Sequence, residues 1–220
     1  MCGRYSFAIE DALIKERFGV SVRSSVYKAR YNCAPSQELA VISSDSPDIL
    51  SFYQWGLIPF WAKDRTIGNK MINARAETIL EKPSFGNAFK RRRCLVLCDG
   101  FYEWKKMTTK VPYRIIMKDA SPFAMAGIWD KWKDPEGNPV HSFSIITARA
   151  NTLMEKIHDR MPVILSKEDE KIWLSETPEQ KLTQLLRPYP SEEMKLYQVS
   201  TKVNSPFNDF PELLLESSEL

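Results

Sequence analysis

Cys2 carries the most distinctive chemistry in the chain. A small second residue favours removal of the initiator methionine, which would give Cys2 a free α-amine beside its thiol. An α-amine titrates near about 7.7–8.0 against about 10.4 for lysine, so far more of it is neutral at pH 7 and able to attack a carbonyl. Attack on an aldehyde gives a Schiff base, which the neighbouring thiol can close to a five-membered thiazolidine. Lysine can take only the first of those steps. Cysteine at position 2 is common and by itself specifies nothing.

Other residues could join it. Glu103 stands between Tyr102 and Trp104 in CDGFYEW, after a strand-like run, where desolvation would raise its pKa towards that of a general acid. From that segment alone a surface glutamate is the commoner reading. His158 lies in KIHDRMPVIL, one turn before an apolar strand, and suits either protonation of a sugar ring oxygen or a structural hydrogen bond. His141 reads as plain surface. Asn73 and Arg75 in MINARAET are two apart, so on an extended chain their side chains face the same way, one towards a sugar oxygen and one towards a phosphate. Arg4, Arg75 and Arg160 each lie beside one of these residues, and the guanidinium fork matches a phosphodiester. Trp61 in YQWGLIPFWAKD is a candidate to stack on an unpaired base, whereas Trp55, before Gly56, is assigned to the core.

The elements that must position these groups are mostly strands. LAVIS, ILSFYQW, CLVLC, YRIIM, FAMAGIW, FSIIT and LYQVS are strand-like runs separated by Pro, Gly, Asn and Asp. Helical spacing of Ile9, Leu13, Ile14 and Phe18 predicts a helix over 8–18, with Ser6 as its cap and Gly19 at its end. SKEDEKIWL and TPEQKLTQLLR begin with Ser and Thr in the reciprocal capping pattern, predicting two further short helices. The expected fold class is α+β: one compact domain over 1–220, with a barrel-like, mostly antiparallel β core, short flanking helices and a tail from about 210.

Composition narrows the possibilities. Hydrophobic residues at 43% and charged residues at 27% are those of a folded globular chain. A net charge of +3 is too small to make the whole surface an anion binder, so any nucleic-acid site must be a local patch. The run Lys90–Arg93 reads as a solvated face. Four cysteines without paired CxxC spacing argue against zinc and a disulfide scaffold. Cys33 reads as a buried small hydrophobe. No phosphate-cradling loop or GxGxxG turn occurs, so no nucleotide cofactor is expected, and without a His/Cys/carboxylate cluster no metal is expected either. With no apolar signal segment or membrane-length run, the expectation is a cytoplasmic protein.

MCGRY, RYNCAPSQ, WGLIPFWAKD, INARAET, CLVLCDGFYEWKK, IHDRMPVIL and VSTKVNSPFND, in that order from Cys2 to about Asp209, closely resemble the SRAP family of SOS-response-associated peptidases. That resemblance implies protection of abasic sites in single-stranded DNA through a thiazolidine crosslink to an N-terminal cysteine. It also implies self-removal of any residues before that cysteine and leaves room for strand cleavage at the abasic site. In the matching motifs Asn73 would orient the sugar, Glu103 would serve acid–base steps and His158 would assist ring opening and reversal. Gly3, Arg4, Trp61, Arg75, Thr147 and Arg160 would contact DNA, chiefly phosphates, with little sequence preference. Where some members carry another DNA-binding arginine this chain has EKPSF, with Lys82 nearby. The expected protein is a monomer that associates with the nucleoid when bound to DNA. Two other classes remain: an N-terminal-nucleophile thiol hydrolase or peptidase, and a non-covalent single-strand binder.

Overall fold

In the computed structural model, residues 2–22, 27–106 and 108–217 are described. In chain order the strands begin with β1 Tyr5–Phe7, β2 Arg30–Cys33, β3 Glu38–Ser43, β4 Ser46–Trp55 and β5 Asn73–Arg75. Then come β6 Arg93–Cys98, β7 Gly100–Lys106, β8 Lys110–Met117, β9 Phe123–Lys133 and β10 Pro139–Arg149. The last are β11 Arg160–Pro162, β12 Ile164–Leu165 and β13 Met194–Gln198. The α-helices are α1 Asp11–Phe18, α2 Gly86–Arg91, α3 Lys167–Leu174 and α4 Glu179–Gln184.

Pairing runs β10–β4–β3–β6–β9 and returns from β9 to β10, so these five strands close into a barrel. Closure leaves no open edge in the ring, and only the β10–β4 step is parallel. The remaining strands either extend the barrel sheet (β5, β11 and β12) or form an antiparallel sheet of order β13–β8–β7–β1–β2. A single apolar cluster joins the two sheets, with Tyr5, Phe7 and Phe101 from one packed with Trp55, Val96 and Phe143 from the other. The expected α+β class with a barrel-like core is the fold observed. Trp55 is buried, packs on Tyr5 and Phe143, and donates its indole N–H to Ile72 O at 2.9 Å, as its core assignment requires.

Several expectations need correction. The first helix starts at Asp11, not residue 8, because Ser6 belongs to β1 and its Oγ binds Asp99 Oδ1 at 2.5 Å. Gly19 does end that helix, in the left-handed region at φ 69°. Ser166 caps α3 by accepting from Asp169 N, but Thr177 does not cap α4: its Oγ1 donates to Ile172 O. Lys90–Arg93 is not a wholly solvated face. Arg93 is buried and donates to the carbonyls of Phe89, Lys90, Trp173 and Ser175, an arrangement that suits a planar five-donor guanidinium. His141 lies within β10 and stacks on Tyr53, 5.1 Å between ring centroids; burial lowers its pKa. Cys33 is buried as expected.

Candidate active site

Two short strands bring Cys2 to its neighbours. β1 pairs with β7 in the register Tyr5↔Phe101, and Tyr102 N donates to Arg4 O at 2.9 Å. Run back past the start of β1, that register carries Gly3 and Cys2 towards Glu103. Below it a buried network fixes β1: Asp99 accepts from Ser6 Oγ, from Ala8 N at 2.8 Å and from Arg114 Nη2 at 3.0 Å. Gly100 allows that approach, since a Cβ there would sit 2.9 Å from Arg114 Nε. From the barrel side, β5 lies parallel to β10 with Asn73 opposite Ile145. Asn73 Nδ2 then donates to Cys2 O at 2.8 Å.

The environment of this cluster has definite chemical consequences. Asn73 Oδ1 is buried without a hydrogen-bond partner, a state that costs about 1–3 kcal/mol and that a bound hydroxyl would relieve. Glu103 follows β6, lies within β7 and is 3% exposed, so it is not the surface glutamate that its segment alone suggested. The Cys2 thiol is pushed well above its ordinary range, first by burial and then by the Glu103 carboxylate, so it stays protonated. His158 Nδ1 accepts from Arg160 N at 3.0 Å and lies 2.8 Å from Asp159 Oδ1.

Two cavities share His158 and make one trough. The first, about 390 Å³, is lined by Glu103, Trp104, Lys106, Lys110, His158 and Asn204. The second, about 510 Å³, includes Arg75, Arg149, Glu155, His158, Asp159 and Arg160. Lysines and arginines thus flank a central Glu103 and His158, as a site for a polyanion requires.

The arginines differ in how far they are committed. Arg75 is exposed. Arg4 instead donates to Asn32 Oδ1 and Val203 O, both at 2.8 Å, and lies over the Trp104 ring at 5.9 Å. Asn32 also donates to the carbonyls of Ser205 and Asn208, so Arg4 braces β1 against the C-terminal segment. Arg160 donates to both Glu77 carboxylate oxygens, at 2.7 and 3.0 Å, and to Thr147 O at 2.5 Å. Thr147 is fully buried, and its hydroxyl accepts from Arg160 Nη2 at 3.2 Å. Gly3 is partly exposed beside Cys2, and Lys82 is exposed.

Trp61 and its neighbour Phe60 are 48% and 57% exposed. The loop beneath them is pinned: Ile58 N donates to Ser142 Oγ, Phe60 N to Asp130 Oδ2 and Ala62 N to Pro59 O. Gly56 (φ 119°) touches Gly68 so closely that a Cβ on either would lie under 3 Å from the other's carbonyl oxygen. Two rings are therefore held out to solvent on a fixed base. Phe60, Glu77, Lys106, Lys110, Arg149 and Asn204 were absent from the sequence reading. Only Phe60, beside Trp61, offered a local signal; the others become site residues through long-range pairing.

Comparison with known proteins completes the description. The family model for SOS response associated peptidase (SRAP) matches residues 1–206. The chain is 49% identical to abasic site processing protein YoqW of Bacillus subtilis, over 97% of this chain and 99% of that protein. It is 35% identical to abasic site processing protein HMCES of Gallus gallus, over 98% of this chain and 77% of that one. A crystal structure of a Bacteroides thetaiotaomicron protein superposes with a TM-score of 0.90 at 32% identity, covering 98% of this chain and all of that one.

Proposed function

This chain belongs to the SOS response associated peptidase (SRAP) family, and from that premise we propose that it processes abasic sites in single-stranded DNA by covalent capture through Cys2. The observation that carries the proposal is the grip of Asn73 on the Cys2 carbonyl, with the Asn73 Oδ1 acceptor buried and unpartnered at the same spot. Whatever precedes Cys2 must first be removed, which converts its amide nitrogen into an amine.

In this reading the neutral amine attacks the aldehyde carbon of the ring-opened sugar, and the carbonyl oxygen takes a proton to give a carbinolamine. Glu103 protonates that hydroxyl, which leaves as water while the C=N bond forms, and takes back the proton that remains on the nitrogen. The thiol sulfur then adds to the same carbon and its proton goes to nitrogen, closing the thiazolidine. One water is lost overall. Asn73 Oδ1 would accept from the sugar hydroxyl that ring opening creates, and His158 would assist that opening and its reversal. Arg75, Lys106 and Lys110 offer charge to phosphates, and Trp61 offers a ring to an unstacked base. The protein would act as one domain and a monomer, without nucleotide or metal.

Burial and the Glu103 carboxylate raise the pKa of the Cys2 thiol, and amine-first capture needs no thiolate. Incubation of protein beginning at Cys2 with single-stranded DNA carrying one abasic site, followed by a denaturing gel, tests the proposal. A shifted band is expected from the wild type and none from Cys2→Ala. A band that survives Cys2→Ala would refute the mechanism, and turnover of peptide substrates without any band would favour the hydrolase.

A further inference from the structure

Asp99, Glu103, Asp130 and Glu170 are the carboxylates buried among the described residues. Three of them have evident work: Asp99 fixes β1, Glu103 belongs to the Cys2 site, and Glu170 closes on the Arg17 fork at 2.9 and 2.6 Å. Asp130 is different. It lies in β9, 3% exposed, where the ladder that closes the barrel uses only its backbone. A buried carboxylate persists where hydrogen bonds and counter-charge offset its lost hydration. Here Phe60 N donates to Oδ2 at 3.1 Å, Lys131 N donates to Oδ1 at 2.7 Å, and Arg92 Nη2 lies 3.1 Å from Oδ1. Burial still raises its pKa, with those two N–H groups and Arg92 opposing the rise.

The strand register shows what this carboxylate is built into. Ser142 on β10 is opposite Asp130, and Val140 is opposite Trp132, so these four side chains share one face of the β9–β10 hairpin. That face holds alternate residues of the loop that carries Trp61. Ile58 N donates to Ser142 Oγ at 2.7 Å, Phe60 N donates to Asp130 Oδ2, and Trp132 Nε1 donates to Ala62 O at 2.7 Å. Ile58, Ala62 and Trp132 also pack into one small apolar cluster, with Val140 against it. Trp61 falls between the held residues Phe60 and Ala62 and is left 48% exposed. Arg92, at the end of α2 within the basic run 90–93, is committed to the same anchor through Asp130. We propose that Asp130 is the positioning residue of the stacking ring: through Phe60 N, with Ser142 and Trp132 on either side, it holds Trp61 in the orientation that meets an unstacked base. The proposal rests on the reading of Trp61 as a base-stacking residue and adds the side chains that make the ring effective. A ring held in place beforehand loses less freedom when a base stacks on it, so this anchor acts on affinity and not on the chemistry at Cys2.

A double-mutant cycle between Asp130→Ala and Trp61→Ala tests this, with binding of an oligothymidylate that lacks an abasic site read by fluorescence anisotropy. Trp61→Ala is expected to weaken binding about tenfold. Asp130→Ala removes the acceptor of Phe60 N and the counter-charge of Arg92, and should weaken binding about fivefold, as part of the same stacking contribution. Where Trp61 is already alanine it should cost less than about twofold more. The slope of log affinity against log salt should keep its wild-type value in all three proteins, because no phosphate contact is removed. Trp132→Phe keeps a ring and deletes the N–H that reaches Ala62 O, and should show the same coupling at smaller size. It carries the test if thermal midpoints show that Asp130→Ala does not fold. At saturating abasic oligonucleotide, Asp130→Ala and Trp132→Phe should both form adduct at the wild-type rate. Equal losses with and without the Trp61 ring, or wild-type affinity in both Asp130→Ala and Trp132→Phe, would overturn the positioning role while leaving Trp61 as the stacking residue. Wild-type affinity in Trp61→Ala would remove the stacking reading and this proposal with it.

Discussion

The trough around His158 and a second region, between α1 and α3, make opposite use of charge. The α1–α3 cavity, about 670 Å³, has Phe18, Ile42, Leu95 and Leu174 on its walls. Its two most buried charges are committed to each other, Arg17 to Glu170 at 2.6 Å, with both side chains no more than 10% exposed. In the trough the central groups are a buried carboxylate and a histidine, and Arg75, Arg149, Lys106 and Lys110 around them face open space. Positive charge left without an internal partner, beside Glu103 and His158, is what the proposed reaction with a polyanion requires.

Substitutions should therefore separate chemistry from stability. The largest effect expected is complete loss of covalent adduct in Cys2→Ala with the fold retained, read on a denaturing gel alongside a thermal midpoint. Glu103→Gln should slow adduct formation by about 10²–10⁴-fold, the usual worth of a general acid or base, with single-strand affinity little changed. Glu170→Ala should do the reverse. It leaves Arg17 buried and unpaired, at a cost of about 3 kcal/mol in denaturant unfolding, and leaves the adduct rate per folded molecule unaltered. If Glu170→Ala abolished capture while unfolding like the wild type, the division between the two regions would collapse.

Smaller effects sharpen the same contrast. Trp61→Ala should weaken single-strand binding by about tenfold, within the range for one base–aromatic stack, and show the same loss on abasic and intact oligonucleotides. Acid should loosen the Arg160–Glu77 pair. Arg160 holds Glu77 below the ordinary glutamate value of 4.5, so the pair stabilises the fold above that pH and the contribution is lost as pH falls through the lowered pKa. The thermal midpoint of Glu77→Gln should accordingly fall less steeply than that of the wild type below pH 4.5.

The long strands were legible because six to eleven residues make a sustained apolar run bounded by turn residues, as in ELAVIS, RCLVLC and FAMAGIWDKWK. The strands that build the site are different. β1, β5 and β11 have three residues each, too few for any periodicity, and only their pairing with β7 and β10 defines them. Cys2, Asn73, Glu103 and His158 could be named from residue type and motif, and Asn73 and Cys2 prove to be in direct contact. Which arginines are free could not be read, because Arg4 and Arg160 are tied down by Asn32 and Glu77, 28 and 83 residues away. Ser6 and Thr177 looked like helix caps for a related reason: their hydroxyls find partners, but not the ones their local sequence offers.

The most direct test is the intact mass of the adduct between protein beginning at Cys2 and an abasic oligonucleotide, with and without borohydride. A thiazolidine predicts the sum of the two masses less one water, unchanged by the reductant. An adduct that gains two hydrogens with borohydride, or one mapped to a lysine, would contradict closure by the Cys2 thiol.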